Sequence, residues 1–418
     1  MKIETITHFL LYYYITTVNS TLNHLMNKDL DIILYGATGF TGQLCVRYFA
    51  ENAETNIRWA VAGRNETKLQ GIVDDLMLDV EIIVADGDDT DALDKLTART
   101  KVVLSTAGPF HRYGSKLVAS CVKNSTHYVD ITGENFWVKK IIDKHHVEAA
   151  AKGIRIVPSC GYDSLPSDLA TLYAIDQMRK PVKRVDCFHT AKGGASGGTI
   201  ETIFSIADLK LGKKIRDPFL LNPKGSFSID QKKQSRDTMV IKKNTTLARW
   251  TGPFIMAFAN TRVVRRSAAL MAERGSPYGD TFVYHEGAYF KGPFKAFMTS
   301  ALTMFMIFTV SSPLRHLVRR MLLQPGEGPD EKTRLSGYFK CLVVAEAEDG
   351  EKRTFSMHAS GDPGYRLTAR FLSESAILLA NDIEKLPGGK DYGGVLTPAT
   401  ALGLPMIDLL LERDIHFE

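Results

Sequence analysis

Two periods of apolar residues alternate along the first part of the chain. Short apolar runs read as buried strands: "DIILYG" from residue 31, "IRWAVAG" from 57, "VEIIVAD" from 80, "KVVLSTAG" from 101, "HYVDITG" from 127 and "IRIVPSCG" from 154. Between them lie stretches with helical spacing, such as "TGQLCVRYFAEN" with Leu44, Val46, Tyr48 and Phe49, then "ETKLQGIVDDLML", "DALDKLTAR", "SKLVASCVKN" and "NFWVKKIIDKHHVEAAAKG". A parallel pair needs a crossover helix to return the chain, so this alternation predicts a doubly wound parallel sheet of the α/β class. Beyond it, "VKRVDCFHTA", "DTMVIKK", "DTFVYHEGAYF", "SGYFKCLVVAEAEDG" and "KRTFSMHASG" read as strands of a largely antiparallel sheet, with "EDGEK" as a hairpin turn and "IETIFSIADLKLG" as a backing helix. The resulting division is an extension at 1–28 left out of the fold, a dinucleotide-binding domain at 29–160, an α+β substrate domain at 161–390, and a segment at 391–418 that packs back on the first domain. The extension carries Glu4 in its basic end and no small-residue cleavage site, so it does not read as a signal peptide.

Composition narrows the function classes. The chain has 418 residues, 44% hydrophobic and 24% charged, and a formal charge of +5 with no basic block interleaved with aromatics, so nucleic acid is not expected. Five cysteines, Cys45, Cys121, Cys160, Cys187 and Cys341, stand far apart with no C-x-x-C pair. That pattern suits reduced thiols in an intracellular protein, with neither a disulfide framework nor a zinc site expected. His145 and His146, adjacent on a helix, point in different directions and are expected to face solvent without binding metal.

Candidate chemistry starts at "GATGFTG", residues 36–42, where the first strand turns into the first helix. Gly36 allows the tight turn, Gly39 lets backbone approach a pyrophosphate, and Gly42 lets helix pack on sheet, so Gly36, Ala37, Thr38, Gly39, Phe40, Thr41 and Gly42 are read as a dinucleotide cradle. At the end of the second strand an NAD site would place an acid for the ribose 2′-OH. Here stand Gly63, Arg64 and Asn65, so Arg64, helped by Lys68, is expected to pair with a 2′-phosphate and favour NADP(H) over NAD(H). A charge-assisted bond of about 1.5–3 kcal/mol would bias the choice roughly ten- to a hundredfold. Asp86 after the third strand is expected beside the adenine, and Ala107, Gly108, Pro109 and Phe110 along the ribose–nicotinamide half. Tyr162, Asp163 and Ser164 follow the last strand of the first domain and are the candidates for a proton donor, although Asp163 and Ser164 also suit helix capping. "GGASGGT" at 193–199 offers backbone N–H groups for a substrate carbonyl, or else is only a flexible loop.

"GATGFTG", "AGRNETKL", "STAGPFHRYG", "YVDITGE", "PSCGYDSLPSDLA" and "GGASGGTIET" occur in this order, followed by "RVVRRSAAL", "GEGPDEKTR", "GDPGYRLTARFLSESAILLA" and "GGVLTPATALG". Together they resemble the saccharopine dehydrogenase-like oxidoreductases, which are similar to the trans-acting enoyl reductases of bacterial lipid synthesis. The resemblance implies an NAD(P)-dependent oxidoreductase acting on an acyl or lipid-like substrate in glycolipid or lipid metabolism. It also implies association with lipid droplets or membranes on their cytosolic face, with mitochondria as another setting.

One segment bears on partners. "AFMTSALTMFMIFTVSSPL", residues 296–314, carries no charge and is followed by the basic "RHLVRR". Thr299, Ser300, Thr303, Thr309, Ser311 and Ser312 dilute it and Pro313 breaks its end, so it reads as an interfacial docking segment or the wall of an acyl site rather than a membrane span. A homo-oligomer interface could also take it up. The rival functions are a saccharopine-type amino-acid reductase, whose carboxylate-rich substrate would call for arginine clamps such as those of "TRVVRR", and a non-catalytic nucleotide-binding protein of lipid surfaces.

Overall fold

The computed structural model describes residues 28–52, 56–194, 216–237, 240–312 and 328–418, together with Phe204, Leu209 and Arg315. Outside the described residues lie nearly all of the 1–28 extension, almost all of "IETIFSIADLKLG", most of "GGASGGT", part of "DTMVIKK", and Pro313 with the basic run after Arg315. Lys28, assigned by sequence to the extension, belongs to the fold: its buried ammonium donates to Ser125 O and Thr126 Oγ1 at 2.7 and 2.8 Å.

The first half forms β1 (Leu30–Tyr35), α1 (Phe40–Asn52), β2 (Trp59–Gly63), α2 (Glu66–Asp75), β3 (Glu81–Val84), α3 (Thr90–Ala98), β4 (Thr100–Ser105), α4 (Phe110–Lys123), β5 (His127–Asp130), α5 (Asn135–Ala151) and β6 (Arg155–Val157). Every pairing among these strands is parallel, in the order β6-β5-β4-β1-β2-β3. Both faces of the sheet are covered, which explains why β1 reads as an unbroken apolar run. Ile32, Leu34, Val102 and Leu104 enter one core, while Ile33, Tyr35 and Val103 enter the other with α4 and α5.

The second half continues with α6 (Leu165–Met178), β7 (Val182–Lys192), α7 (Ile229–Gln234), β8 (Lys242–Asn244), β9 (Arg249–Gly252), α8 (Ala257–Glu273), β10 (Val283–Phe290) and α9 (Pro293–Ser311). It ends with α10 (Glu331–Ser336), β11 (Tyr338–Ala347), β12 (Lys352–Ser360), α11 (Thr368–Asn381), β13 (Gly394–Val395), α12 (Pro398–Leu411) and β14 (His416–Phe417). The second sheet runs β14-β12-β11-β7-β10-β9-β8. It is mostly antiparallel, as expected, but the strands "VKRVDCFHTA" and "DTFVYHEGAYF" pair in parallel, because a long crossover through α8 joins β7 to β10.

Two late elements return to the first sheet. Strand β13 adds a parallel edge beside β6, and α11 packs on α1, β4 and β5, so one face of the first sheet is roofed by residues from opposite ends of the chain. Arg155, fully buried at the start of β6, fastens the returning segment. Its guanidinium donates to the carbonyls of Pro387 (3.1 Å), Gly389 (2.6 Å), Tyr392 (3.1 Å) and Ala401. The core next to α11 runs on through α6 into the second sheet, with Val185, Phe339 and Met357 in the same cluster as Leu34 and Val129.

Candidate active site

The chain leaves β1 at Tyr35 and enters α1 at Phe40, and the turn between them is held by backbone bonds: Gly36 N to Ala62 O at 2.9 Å and Gly39 N to Gly36 O at 3.0 Å. Gly36 has φ +89°, and a Cβ there would lie 2.9 Å from Ala107 N. A Cβ at Gly42 would lie 2.2 Å from Gly36 O, so α1 can approach the turn only through glycine. Gly39 differs: a Cβ there would meet only Gly36 O, at 3.4 Å, and the space in front of it is open. Open space at a helix N-terminus beside a backbone kept close by glycine fits a pyrophosphate. Ala37 is buried in the turn, Thr38 and Thr41 are half-buried, and the Thr38 carbonyl accepts from Gln43 Nε2 at 3.2 Å. Phe40 meets Tyr365 edge-on at 5.1 Å, with the Arg334 guanidinium 5.8 Å from its ring, so the second half of the chain covers the helix start.

Arg64 and Lys68 are exposed at the carboxyl end of β2, where Asn65 caps α2 through Lys68 N at 2.9 Å. Asp86, also exposed, accepts from Asp88 N at 2.9 Å. Burial, then the nearby Asp86 charge, pushes the Tyr35 phenol up to about 12 against an opposing pull from Arg64, so all three share one corner. Ala107, Gly108, Pro109 and Phe110 follow β4; Pro109 precedes α4, and the buried Phe110 ring lies 5.8 Å from that of Trp137. Glu134, buried after β5, holds this loop by accepting from Phe110 N (2.8 Å), His111 N (2.9 Å) and the His111 Nδ1 side (2.6 Å). The N-terminus of α4 is thus answered by a carboxylate from within the chain. Glu134 was present in "YVDITGE" but carried no sequence sign of this role.

Beyond β6 the candidates separate. Ser164 stands at the N-cap of α6 but makes no side-chain capping bond; its hydroxyl donates to Asn260 Oδ1 at 3.3 Å. Asp163 does not cap the helix. A methyl group on Gly133 would sit 4.0 Å from Asp163 Oδ2, so this carboxyl faces the turn after β5. Desolvation, reinforced by the Glu286 carboxylate, pushes its pKa up to about 6. Glu286, whose side chain is fully buried, accepts from Asn260 Nδ2 at 2.6 Å and Tyr284 OH at 2.8 Å, and lies 3.5 Å from His189 Nε2. His189 Nε2 is also 3.1 Å from Ser167 Oγ, and its ring stacks on Phe254 at 4.7 Å. The Tyr162 hydroxyl is buried with no hydrogen-bond partner among the described residues; its ring lies edge-on to Phe339 and His189. Sequence reasoning missed His189, Asn260 and Glu286. Their signal was faint, since polar residues inside otherwise apolar strands and helices become a cluster only once β7, α8 and β10 are brought together.

The two adjacent histidines do not face solvent. His145 is buried, and His146 is half-buried with its Nδ1 accepting from Val395 N at 3.1 Å, where the returning segment lays β13 against α5.

Residues 32–157 match the family described as the saccharopine dehydrogenase NADP binding domain. A trans-acting enoyl reductase of Mycobacterium ulcerans is 34% identical over 92% of this chain and 96% of its own, and one of Mycobacterium tuberculosis (strain ATCC 25618 / H37Rv) is 32% identical over the same shares. Among solved structures, apo saccharopine dehydrogenase (L-Glu forming) from Saccharomyces cerevisiae covers 93% of this chain and 99% of its own, with a TM-score of 0.56 at 13% identity.

Proposed function

The chain belongs to the saccharopine dehydrogenase-like oxidoreductases that include the trans-acting enoyl reductases, and from that premise we propose that it is an NADP(H)-dependent reductase of an acyl carbon–carbon double bond. One juxtaposition carries the reading: the open cradle before Gly39 and the Asp163 carboxyl lie at the same carboxyl-end rim of the first sheet, where ligands of such sheets bind. Bound NADPH would supply the hydride to the β-carbon of the acyl substrate. Gly36 to Gly42 hold the pyrophosphate, Arg64 with Lys68 meets the 2′-phosphate, Asp86 flanks the adenine, and Ala107 to Phe110 wall the nicotinamide half. Asp163, which burial and then Glu286 make a weaker acid that holds its proton up to about pH 6, is the proton donor to the α-carbon. Ser164 positions Asn260, and through it Glu286. Tyr162 lines the far wall.

The amino-acid rival needs free arginines, and those of "TRVVRR" are committed. Arg262 pairs with Asp237 at 2.7 Å, Arg265 donates to Tyr284 O at 2.8 Å, and Arg266 to Val395 O at 2.6 Å.

A lipid surface is the proposed setting. Helix α9 has an inverted pattern: it packs on β9 and β10, buries the small residues Ala296, Ser300 and Thr309, and turns Phe294, Phe297, Leu302, Phe305 and Phe308 outward. An exposed apolar face of this kind, followed in sequence by "RHLVRR", suits docking to anionic lipid. No helix among the described residues is long and apolar enough to cross a membrane.

Titrating the protein with NADPH and NADH tests the cofactor assignment. Binding of NADPH should be ten- to a hundredfold tighter, about the worth of one charge-assisted pair, and Arg64→Ala should remove most of the gap. Equal affinities for the two cofactors in the unmutated protein would contradict it.

A further inference from the structure

We propose that Cys187, His189 and Cys341 bind one divalent cation of the zinc class, a site absent from the sequence expectation because two of its ligands lie on one strand and the third on another. Cys187 and His189 are two apart on β7 and so share a face of the second sheet, and Cys341 on β11 stands opposite His189 in register. All three are buried, and their ligand atoms lie within 4.8 Å of one another. The two sulfurs are 2.9 Å apart, and His189 Nε2 is 3.3 Å from Cys187 Sγ. Two thiolates and an imidazole select zinc over the hard cations that prefer oxygen. A tetrahedral zinc ion would hold the sulfurs about 3.8 Å apart, a separation of roughly 0.9 Å more that small side-chain rotations can supply.

The surroundings point the same way. Stacking on Phe254 fixes the imidazole plane with Nε2 turned to the cluster. As neutral thiols the two cysteines are weak donors and acceptors, and the Tyr162 hydroxyl, on a ring set edge-on to that of His189 at 6.2 Å, is buried with no partner among the described residues. A water on the fourth corner of the cation would answer that hydroxyl, with Ser167 Oγ as a second neighbour of the ring nitrogen. Three protein ligands and one water is the coordination of a zinc site with an exchangeable position.

The full chain, produced with zinc in the medium, freed of any affinity tag and dialysed against metal-free buffer, should retain about one zinc per chain by elemental analysis. Replacing zinc with cobalt(II) should give a sulfur-to-cobalt charge-transfer band in the near ultraviolet. The double variant Cys187→Ser/Cys341→Ser should lose both, and Cys121→Ala should keep both. Metal-free wild-type protein with all thiols titratable, or with a Cys187–Cys341 disulfide by mass spectrometry, would overturn the site. So would zinc retained in the double variant. Should the double variant fail to fold, the wild-type cobalt spectrum decides alone, and absence of the sulfur band counts against the proposal.

Discussion

Replacing Phe305 and Phe308 by aspartate should release the protein from lipid without disturbing its fold. The two rings are 64% and 62% exposed on the outer face of α9, while the contact with the second sheet is made by the small residues Ala296 and Ser300. Complete burial of a phenylalanine is worth about 1.5–3 kcal/mol, and since about three-fifths of each ring is free to enter lipid, each contributes roughly 1–2 kcal/mol. Losing both removes about 2–4 kcal/mol, and the new carboxylates add repulsion from anionic headgroups. Partitioning should therefore weaken by at least 30-fold, since about 1.4 kcal/mol corresponds to a factor of ten. Surface changes away from packed contacts alter stability by about 0.5 kcal/mol or less, so the melting temperature and NADPH affinity should stay near wild type. Flotation with vesicles of mixed phosphatidylcholine and phosphatidylserine measures the partitioning. Wild-type protein that stays out of the lipid layer refutes the docking argument, and a variant that floats equally well shows that other residues carry it. A variant that unfolds would show that the face is core.

The glycine turn gives a paired expectation. Gly39→Val should keep the fold and lose cofactor binding, because its side chain meets open space on the protein side and the pyrophosphate on the other; Gly42→Ala should lose the fold's stability first, because its methyl lies 2.2 Å from a backbone oxygen. Thermal melts with and without NADPH separate the two, and cofactor binding retained by folded Gly39→Val would put the phosphates elsewhere. For Asp163 the pH dependence has a definite sign. Its carboxyl titrates near 6 in the fold against about 3.9 unfolded, so the native state holds the proton more tightly. The stability this gives is fully present below about pH 4 and is lost as pH rises through about 6, so Asp163→Asn should flatten that slope relative to wild type. As proton donor it should also make kcat/KM fall above about pH 6, a limb that Asp163→Asn abolishes together with most of the activity. An unchanged pH profile in the variant would remove Asp163 from the chemistry.

What could be seen in the sequence follows from how local each signal is. The first sheet was legible because a strand buried on both faces writes an apolar run, and a crossover helix writes its own period beside it, as in β1 and α1. The glycine turn between β1 and α1 was legible because its glycines are set by a single stretch of chain. The parallel pairing of β7 with β10 was not, because alternation within a strand says nothing about its neighbour's direction. Nor was the covering of His146, because nothing local to α5 says which of its residues meets a strand more than two hundred residues further along the chain. The carboxylate pair of Asp163 and Glu286 was half-seen: Asp163 follows a strand end where a crevice was expected, whereas Glu286 lies inside a strand of the other sheet. The apolar segment at 296–314 was visible as composition, and only the fold shows that its large side chains face outward.

Deuterium transfer from the nicotinamide to the acyl chain tests enoyl reduction itself. The purified protein is mixed with NADPH carrying deuterium at the transferable position of the nicotinamide and with a 2-enoyl thioester, and the product is examined by mass spectrometry. Enoyl reduction at this site predicts a saturated acyl chain carrying one deuterium at the β-carbon, formed from one face of the cofactor and abolished in Gly39→Val. A saturated product without deuterium, or no reduction of any enoyl thioester by protein shown to bind NADPH, would contradict it.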